Sequence, residues 1–401
     1  VIDLPALAEI VRDSPAKILF LVIDGLGGLP HPETGRSELE TAHLPHLHAL
    51  AGKSACGLTT PVLPGITPGS GPGHLALFGY DPLKYTVGRG VLEALGIGLP
   101  LGPGDVVARG NLCTVDAQGV IVDRRAGRVS GQEAAALVQR LARIRLPGVH
   151  LEVHPVREHR FVLLLRGDGL SEAVSETDPG RTGVPPRDPV PLAPEGEYTA
   201  RLVAAFVAEA RRALHGEARA NMVLLRGWSR LPSLPNFCHA YRLRAAAVAA
   251  YPMYRGIAHI LGMAVIPTGS TFAEQVATVQ AHWQQYDFFF LHYKPADAAG
   301  EDGDFTAKVR ALEAVDPHIP ALLALNPEVL VVTGDHATPA VVGGHSWHPV
   351  PLLIHSRYTL GEGVEAFTER ACARGSLGRV PATAVMLLAL AHAGRLDKYG
   401  A

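Results

Sequence analysis

The strongest constraint on this chain is where its short, unbroken apolar runs fall. Ile-Leu-Phe-Leu-Val-Ile occupies 18–23, Phe-Phe-Phe-Leu 288–291, Val-Leu-Val-Val 329–332 and Val-Pro-Leu-Leu-Ile 350–354. None alternates with polar residues as a half-exposed strand does, so the runs suit strands covered on both faces, as in the centre of a parallel sheet. One run lies near the start and the others near the end, so the chain must leave the sheet and return to it. The texture changes near Leu99-Pro100-Leu101-Gly102-Pro103-Gly104. Beyond that point come short strands and turns at 105–114, 119–123, 149–154 and 161–165, a helix near 131–143, a Pro/Gly/Asp-rich loop at 178–195 and a helix at 198–214. From 243 onward helices are expected at 243–261, 273–285, 304–325 and 381–393, alternating with strands. A glycine-proline loop is expected over 57–73. The fold class is therefore α/β: one domain from residues 1–98 and 241–401, interrupted by a smaller α+β domain at 99–240.

The chain has 401 residues, 47% of them hydrophobic, which is ample for a large core. The net charge is −2 and no basic run stands out, which argues against nucleic-acid binding through a broad electrostatic face. Four cysteines, Cys56, Cys113, Cys238 and Cys372, are scattered without a Cys-x-x-Cys pair. This disfavours a zinc ribbon or a disulfide scaffold and fits a reducing cytoplasm. Asp3, Glu9 and Arg12 precede the first apolar run, unlike a signal peptide. The most apolar late segment, 382–393, is too short to span a bilayer. A cytoplasmic protein without membrane contact is expected, and the sequence assigns no oligomeric state.

Two strand ends carry metal-type donors. The run at 18–23 closes on Asp24-Gly25, and the run at 329–332 closes on Thr333-Gly334-Asp335-His336, with His345 nine residues on. Ligands in open α/β sheets sit beyond the carboxyl ends of the strands. Between these halves lies Pro68-Gly69-Ser70-Gly71-Pro72-Gly73-His74. Ser70 alone reads as a helix N-cap, and Asp24-Gly25 alone as a turn. Together, Asp and His donors with a serine in bare backbone point to a divalent metal and an activated nucleophile. That predicts attack on a phosphorus or sulfur ester. The segment 288–304 adds Asp297 and Glu301, either as a helix-capping acidic loop or as donors to a second metal.

The stretches PGSGPGHLALFGYDP (68–82), YTVGRGVLEALGIGL (85–99), NLCTVDAQGVIVDRRAGR (111–128), TGDHATP (333–339) and HSWHPVP (345–351) resemble the archaeal-type, cofactor-independent phosphoglycerate mutases of the alkaline phosphatase superfamily. The resemblance implies an alkaline-phosphatase-like three-layer α/β/α sandwich with a metal-binding catalytic role, and an inserted substrate-binding domain. It implies interconversion of 3-phosphoglycerate and 2-phosphoglycerate through a phosphoserine, without 2,3-bisphosphoglycerate. Two divalent metals are implied, manganese first and magnesium as the alternative. Ser70 matches the nucleophile; Asp24, Asp335 and His336 match the ligands of the metal at the serine; Asp297 and His345 match ligands of the other. Arg109, Asn111, Arg124, Arg125 and Arg128 fall in the substrate-binding segment. Two positions depart from the family pattern. Gly300-Glu301-Asp302-Gly303 replaces the usual Gly-His-Asp-Gly, putting Glu301 where a histidine ligand stands. Ser70-Gly71-Pro72-Gly73-His74 replaces Ser-Asp-Thr-Ala-His. The competing reading is a metal-dependent phosphohydrolase, or a mutase acting on another phosphate ester.

Overall fold

The structure, a computed structural model, describes residues 5–361 and 363–400. Its strands in chain order are β1 Ile18–Ile23, β2 Ala55–Thr60, β3 Val106–Val115, β4 Ile121–Asp123, β5 His150–Arg157, β6 Arg160–Arg166, β7 Met222–Ser229, β8 Ala245–Val248, β9 Ala264–Val265, β10 Phe288–Tyr293, β11 Val329–Thr333, β12 Val350–Ser356 and β13 Gly378–Pro381. They fall into two compact units, Val1–Thr86 with Leu234–Ala401, and Val87–Ser233.

The first unit holds an eight-stranded sheet in the order β13-β2-β12-β11-β1-β10-β8-β9. β1 is central and pairs in parallel with β10 and with β11, Ile18 lying beside both Phe288 and Val329. Every residue of these three strands is buried, which is why their sequences are apolar without alternation. On one face Leu19, Leu21, Phe289, Leu291 and Leu330 pack with Val276 and Val279 of helix Phe272–His282 and Leu312 of helix Phe305–Glu313. On the other face the Phe20 and Phe288 rings lie 5.0 Å apart, and Phe78 and Phe237 close over Phe288 and Phe290. The unit is a helix–sheet–helix sandwich.

Three expected elements differ. The helix expected over 243–261 is strand β8 followed by helix Pro252–Ile260. Alanine favours helix locally, but Ala245–Val248 fills a slot beside β10, paired from Ala245↔Phe288 to Val248↔Leu291, with both faces covered. The expected helix 304–325 is broken at Asp316-Pro317, giving Phe305–Glu313 and then Ile319–Leu323. The loop expected over 57–73 gives up its start to β2, which lies between β12 and β13.

The second unit is an antiparallel sheet in the order β4-β3-β6-β5, with β7 also paired to β3. Val106, Ala108, Leu112, Phe161 and Leu163 face Leu137, Val138, Val203 and Phe206 of helices Gly131–Leu141 and Glu197–Ala213. The unit begins at Val87 and ends at Ser233, not at 99 and 240, because helix Arg89–Gly96 packs on its sheet. A Cβ on Gly90 would meet the Val107 carbonyl oxygen at 2.5 Å, and Val91 N donates to Ser229 Oγ at 3.2 Å.

Candidate metal centre and nucleophile

Sheet order brings the chemistry together. β11, β1 and β10 are neighbours and run parallel, so their carboxyl ends open on one edge. Asp24 follows β1, Asp335 and His336 follow β11 after Gly334, and Asp297 sits in helix Pro295–Glu301 just beyond β10. Gly25 has φ +68°, and a Cβ there would stand 2.8 Å from Asp297 Cα. Only glycine fits that turn. Ser70 opens helix Ser70–Leu77, whose N-cap is Gly69. A Cβ on Gly73 would lie 2.3 Å from the Asp335 carbonyl oxygen, so a bare backbone lets this helix reach the metal-type donors.

Ser70 is not an N-cap. Its Oγ lies 3.2 Å from His336 Nε2 in the buried interior. The same nitrogen is 3.1 Å from Asp335 Oδ2 and 3.5 Å from Asp24 Oδ1. On the other side of the ring, His336 Nδ1 is 3.9 Å from Asp297 Oδ1, and His345 Nε2 is 3.4 Å from that oxygen. The rings of His336 and His345 stack at 3.7 Å. Burial opposes charge on Asp24, yet Lys294, His292 and His336 hold its carboxyl well below the usual range. Burial pushes His336 towards the neutral ring, the form that donates to a metal. Burial also opposes charge on His345, but Glu301, Asp297 and the Pro68 carbonyl raise it to about 9.

These residues fit divalent cations. Asp24, Asp335 and His336 present donor atoms within 4.8 Å of one another, as do Asp297, His336 and His345. Asp335 Oδ2 is wholly buried and has no hydrogen-bond partner. His74 Nδ1 lies 3.2 Å from it but is engaged with the Ser70 carbonyl at 2.8 Å, so this buried carboxylate oxygen suits a cation.

Comparison with known proteins follows the same line. Residues 51–219 match the family described as 2,3-bisphosphoglycerate-independent phosphoglycerate mutase. A Thermotoga maritima protein whose name reads "probable 2,3-bisphosphoglycerate-independent phosphoglycerate mutase" is 48% identical over 396 residues, 98% of each chain. The chain belongs to the 2,3-bisphosphoglycerate-independent phosphoglycerate mutases. A protein of the same name from Thermus thermophilus is 48% identical over 402 residues, 99% of each chain. A solved structure from Pyrococcus horikoshii matches with TM-score 0.83 at 28% identity, covering 98% of this chain and 100% of that one. A cofactor-independent phosphoglycerate mutase from Thermoplasma acidophilum matches with TM-score 0.68 at 31% identity, covering 94% and 100%. Membership makes the chain an isomerase, and the two donor groups agree with divalent metal use.

In this mutase Glu301 stands beside the second donor group, its Oε1 3.6 Å from His345 Nε2 and its side chain half exposed. His345 is the main cause holding its carboxyl down, at about 2. Three further titratable residues touch the donors and went unread in the sequence. His292 Nε2 bonds Asp24 Oδ2 at 3.0 Å, His74 Nδ1 is 3.2 Å from Asp335 Oδ2, and the Lys294 ammonium bonds both Asp24 and Asp297. His292 was hidden inside an apolar run, whereas Lys294, three residues before Asp297, carried a usable signal.

In the second unit Arg109 and Asn111 share the face of β3 opposite the core, and both are buried. Arg226 on β7 lies opposite Arg109, and Arg160 on β6 opposite Asn111. Burial, together with Arg160 and Arg89, lowers the Arg109 guanidinium to about 9. Arg124 makes a two-pronged bond to Asp178, at 3.0 and 2.7 Å. Arg125 is exposed. The Arg128 side chain lies outside the described residues. Arg160 and Arg226 were missed because their strand registers are set by pairing, not by local sequence.

Proposed function

We propose that this mutase interconverts 3-phosphoglycerate and 2-phosphoglycerate, a step of glycolysis and gluconeogenesis, by passing the phosphoryl group through Ser70. The observation that carries the reading is Ser70 Oγ at 3.2 Å from His336 Nε2, beside the buried carboxylates of Asp24 and Asp335. Asp24, Asp335 and His336 would hold one divalent cation, and Asp297, His345 and Glu301 a second; manganese is the first choice and magnesium the next. Bound cations supply charge that lowers the pKa of a hydroxyl and neutralises phosphoryl oxygens.

The protein's own residues do the rest. Ser70 Oγ forms the new P–O bond as the bond to the glycerate oxygen breaks; the serine loses a proton and the freed glycerate hydroxyl gains one. The second half reverses this on the neighbouring hydroxyl, so no proton or phosphate is consumed. Amides at the start of helix Ser70–Leu77 favour the anionic group. The Arg109, Arg160 and Arg226 face suits the glycerate carboxylate, which planar guanidinium groups bind in two-pronged fashion. Because the phosphate returns from the serine, 2,3-bisphosphoglycerate is not required. No disulfide joins Cys56, Cys113, Cys238 or Cys372, which supports a cytoplasmic setting, and no helix among the described residues is long and apolar enough to cross a membrane.

The test is purified protein, stripped with EDTA, given 3-phosphoglycerate with and without Mn²⁺. The expected product is 2-phosphoglycerate, formed only with metal and not stimulated by 2,3-bisphosphoglycerate. Free phosphate as the main product would instead make the chain a phosphohydrolase.

A further inference from the structure

Two side chains touch both donor groups and belong to neither: Lys294, described above, and Thr338. Thr338 is fully buried; its Oγ1 lies 2.6 Å from Asp297 Oδ1 and 3.0 Å from His336 Nδ1. Its backbone is held from both ends. Thr338 N donates to the Gly27 carbonyl at 3.1 Å, and the buried Lys308 ammonium donates to the carbonyls of Thr338 at 2.8 Å and Gly27 at 2.9 Å. Glu38 faces that ammonium at 3.6 Å and accepts from Ala340 N at 2.7 Å. Space around Thr338 is closed: a Cβ on Gly25 would meet its Oγ1 at 2.7 Å, and one on Gly300 its carbonyl oxygen at 2.2 Å. The hydroxyl therefore has one place to be.

Counting protons shows what that hydroxyl does. It carries one proton and otherwise only accepts. The hydroxyl donates to Asp297 Oδ1 at 2.6 Å, so its one proton is used there. The oxygen must then accept from His336, which puts the imidazole proton on Nδ1. Nε2 is left with its lone pair, aimed at Ser70 Oγ, Asp335 Oδ2 and Asp24 Oδ1. A neutral imidazole has one free lone pair, so His336 can serve only one of the two groups that contain it.

We propose that Thr338 is a positioning residue that fixes the tautomer of His336, assigning its Nε2 to the Asp24–Asp335 group and leaving the Asp297–His345 group to recruit another donor. This rests on the two-cation reading above. Thr338 also couples the groups, because the hydroxyl that orients His336 is the one that orients Asp297. Such a partner to a metal-binding histidine is worth on the order of 10- to 100-fold in metal affinity.

The experiment compares Thr338→Val, which keeps the shape and removes the hydroxyl, with Thr338→Ser, which keeps the hydroxyl and removes a methyl. Mn²⁺ is titrated by calorimetry into the EDTA-stripped, full-length protein, and thermal unfolding in EDTA is recorded alongside. Thr338→Val is expected to bind Mn²⁺ at least tenfold more weakly while unfolding in EDTA near the wild-type temperature. Thr338→Ser is expected to stay within about threefold of wild-type affinity even if its unfolding temperature drops. Wild-type affinity in Thr338→Val, or equal weakening in both variants, overturns the proposal. If Thr338→Val does not fold, Thr338→Ser decides: affinity within threefold supports the role, and a tenfold loss in a folded protein removes it. No turnover is measured, so the outcome stands apart from whether the chain is a mutase or a phosphohydrolase.

Discussion

Ser70 Oγ and His336 Nε2 lie 3.2 Å apart although 266 residues separate them along the chain. Two close approaches produce that contact. Gly73 lets the helix that starts at Ser70 press on the Asp335 backbone, and the parallel pairing of β1 with β11 sets Asp24 beside Asp335 and His336.

Ser70→Ala should leave unfolding unchanged, because the hydroxyl caps no helix. It should lower the mutase rate by at least about a thousandfold, the scale on which removing a nucleophile acts. The check is labelling with ³²P-phosphoglycerate: the wild type should trap a phosphoserine and the variant none. A near-normal rate in the variant would sink the mechanism.

Glu301 offers an oxygen and a negative charge where the resemblance implies a histidine, and it sits 3.6 Å from His345. Glu301→Ala should keep the fold, lose one of two Mn²⁺ ions and lose most activity. Glu301→His should keep two ions and shift preference towards Zn²⁺, since imidazole suits zinc and oxygen donors suit manganese and magnesium. Metal content after gel filtration decides, and two tightly held ions in Glu301→Ala would take this residue out of the donor set.

Arg109 is buried beside Arg160 and Arg89, with the Glu93 carboxylate at 3.9 Å, and the cost of its charge shows in a guanidinium lowered to about 9. A base with a lowered folded-state pKa is destabilised in its charged form. Arg109→Met should therefore raise the unfolding temperature while raising KM for 3-phosphoglycerate by about tenfold or more. Unchanged KM with a higher unfolding temperature would mean that this face binds no substrate.

Asp178 supplies a pH signature in the second unit. Burial works against its charge, but Arg124 and the Gly180 amide hold its carboxyl below the usual range. A depressed folded value stabilises the protein fully above the ordinary carboxylate value, about 3.9. That stabilisation is lost as pH falls through the folded value, because the unfolded chain binds the proton more readily. Asp178→Asn should cost about 1–3 kcal/mol at pH 7 and flatten the loss of stability in acid. Unfolding temperatures of both proteins from pH 7 to pH 2.5 test this. Parallel curves would show that another carboxylate sets the acid limb.

The sequence alone determined the α/β class and the buried strands β1, β10, β11 and β12, and it singled out as candidate donors Asp24, Asp297, Asp335, His336 and His345, which the structure gathers into two groups. Burial on both faces leaves an unbroken apolar run, and a polar residue at the end of such a run sits at a sheet edge. Both are local properties. The tertiary structure alone decided that Ala245–Val248 is a strand, because its pairing with β10 outweighs alanine's helix preference. It decided that Arg160 and Arg226 join Arg109, because register across antiparallel strands sets which side chains share a face. It also decided the part played by Thr338: a threonine two residues after a histidine is unremarkable until Lys308, Gly27 and Asp297, each at least 30 residues away in sequence, close around it. Contacts of that kind depend on strand order and backbone approach, which no short stretch of sequence encodes.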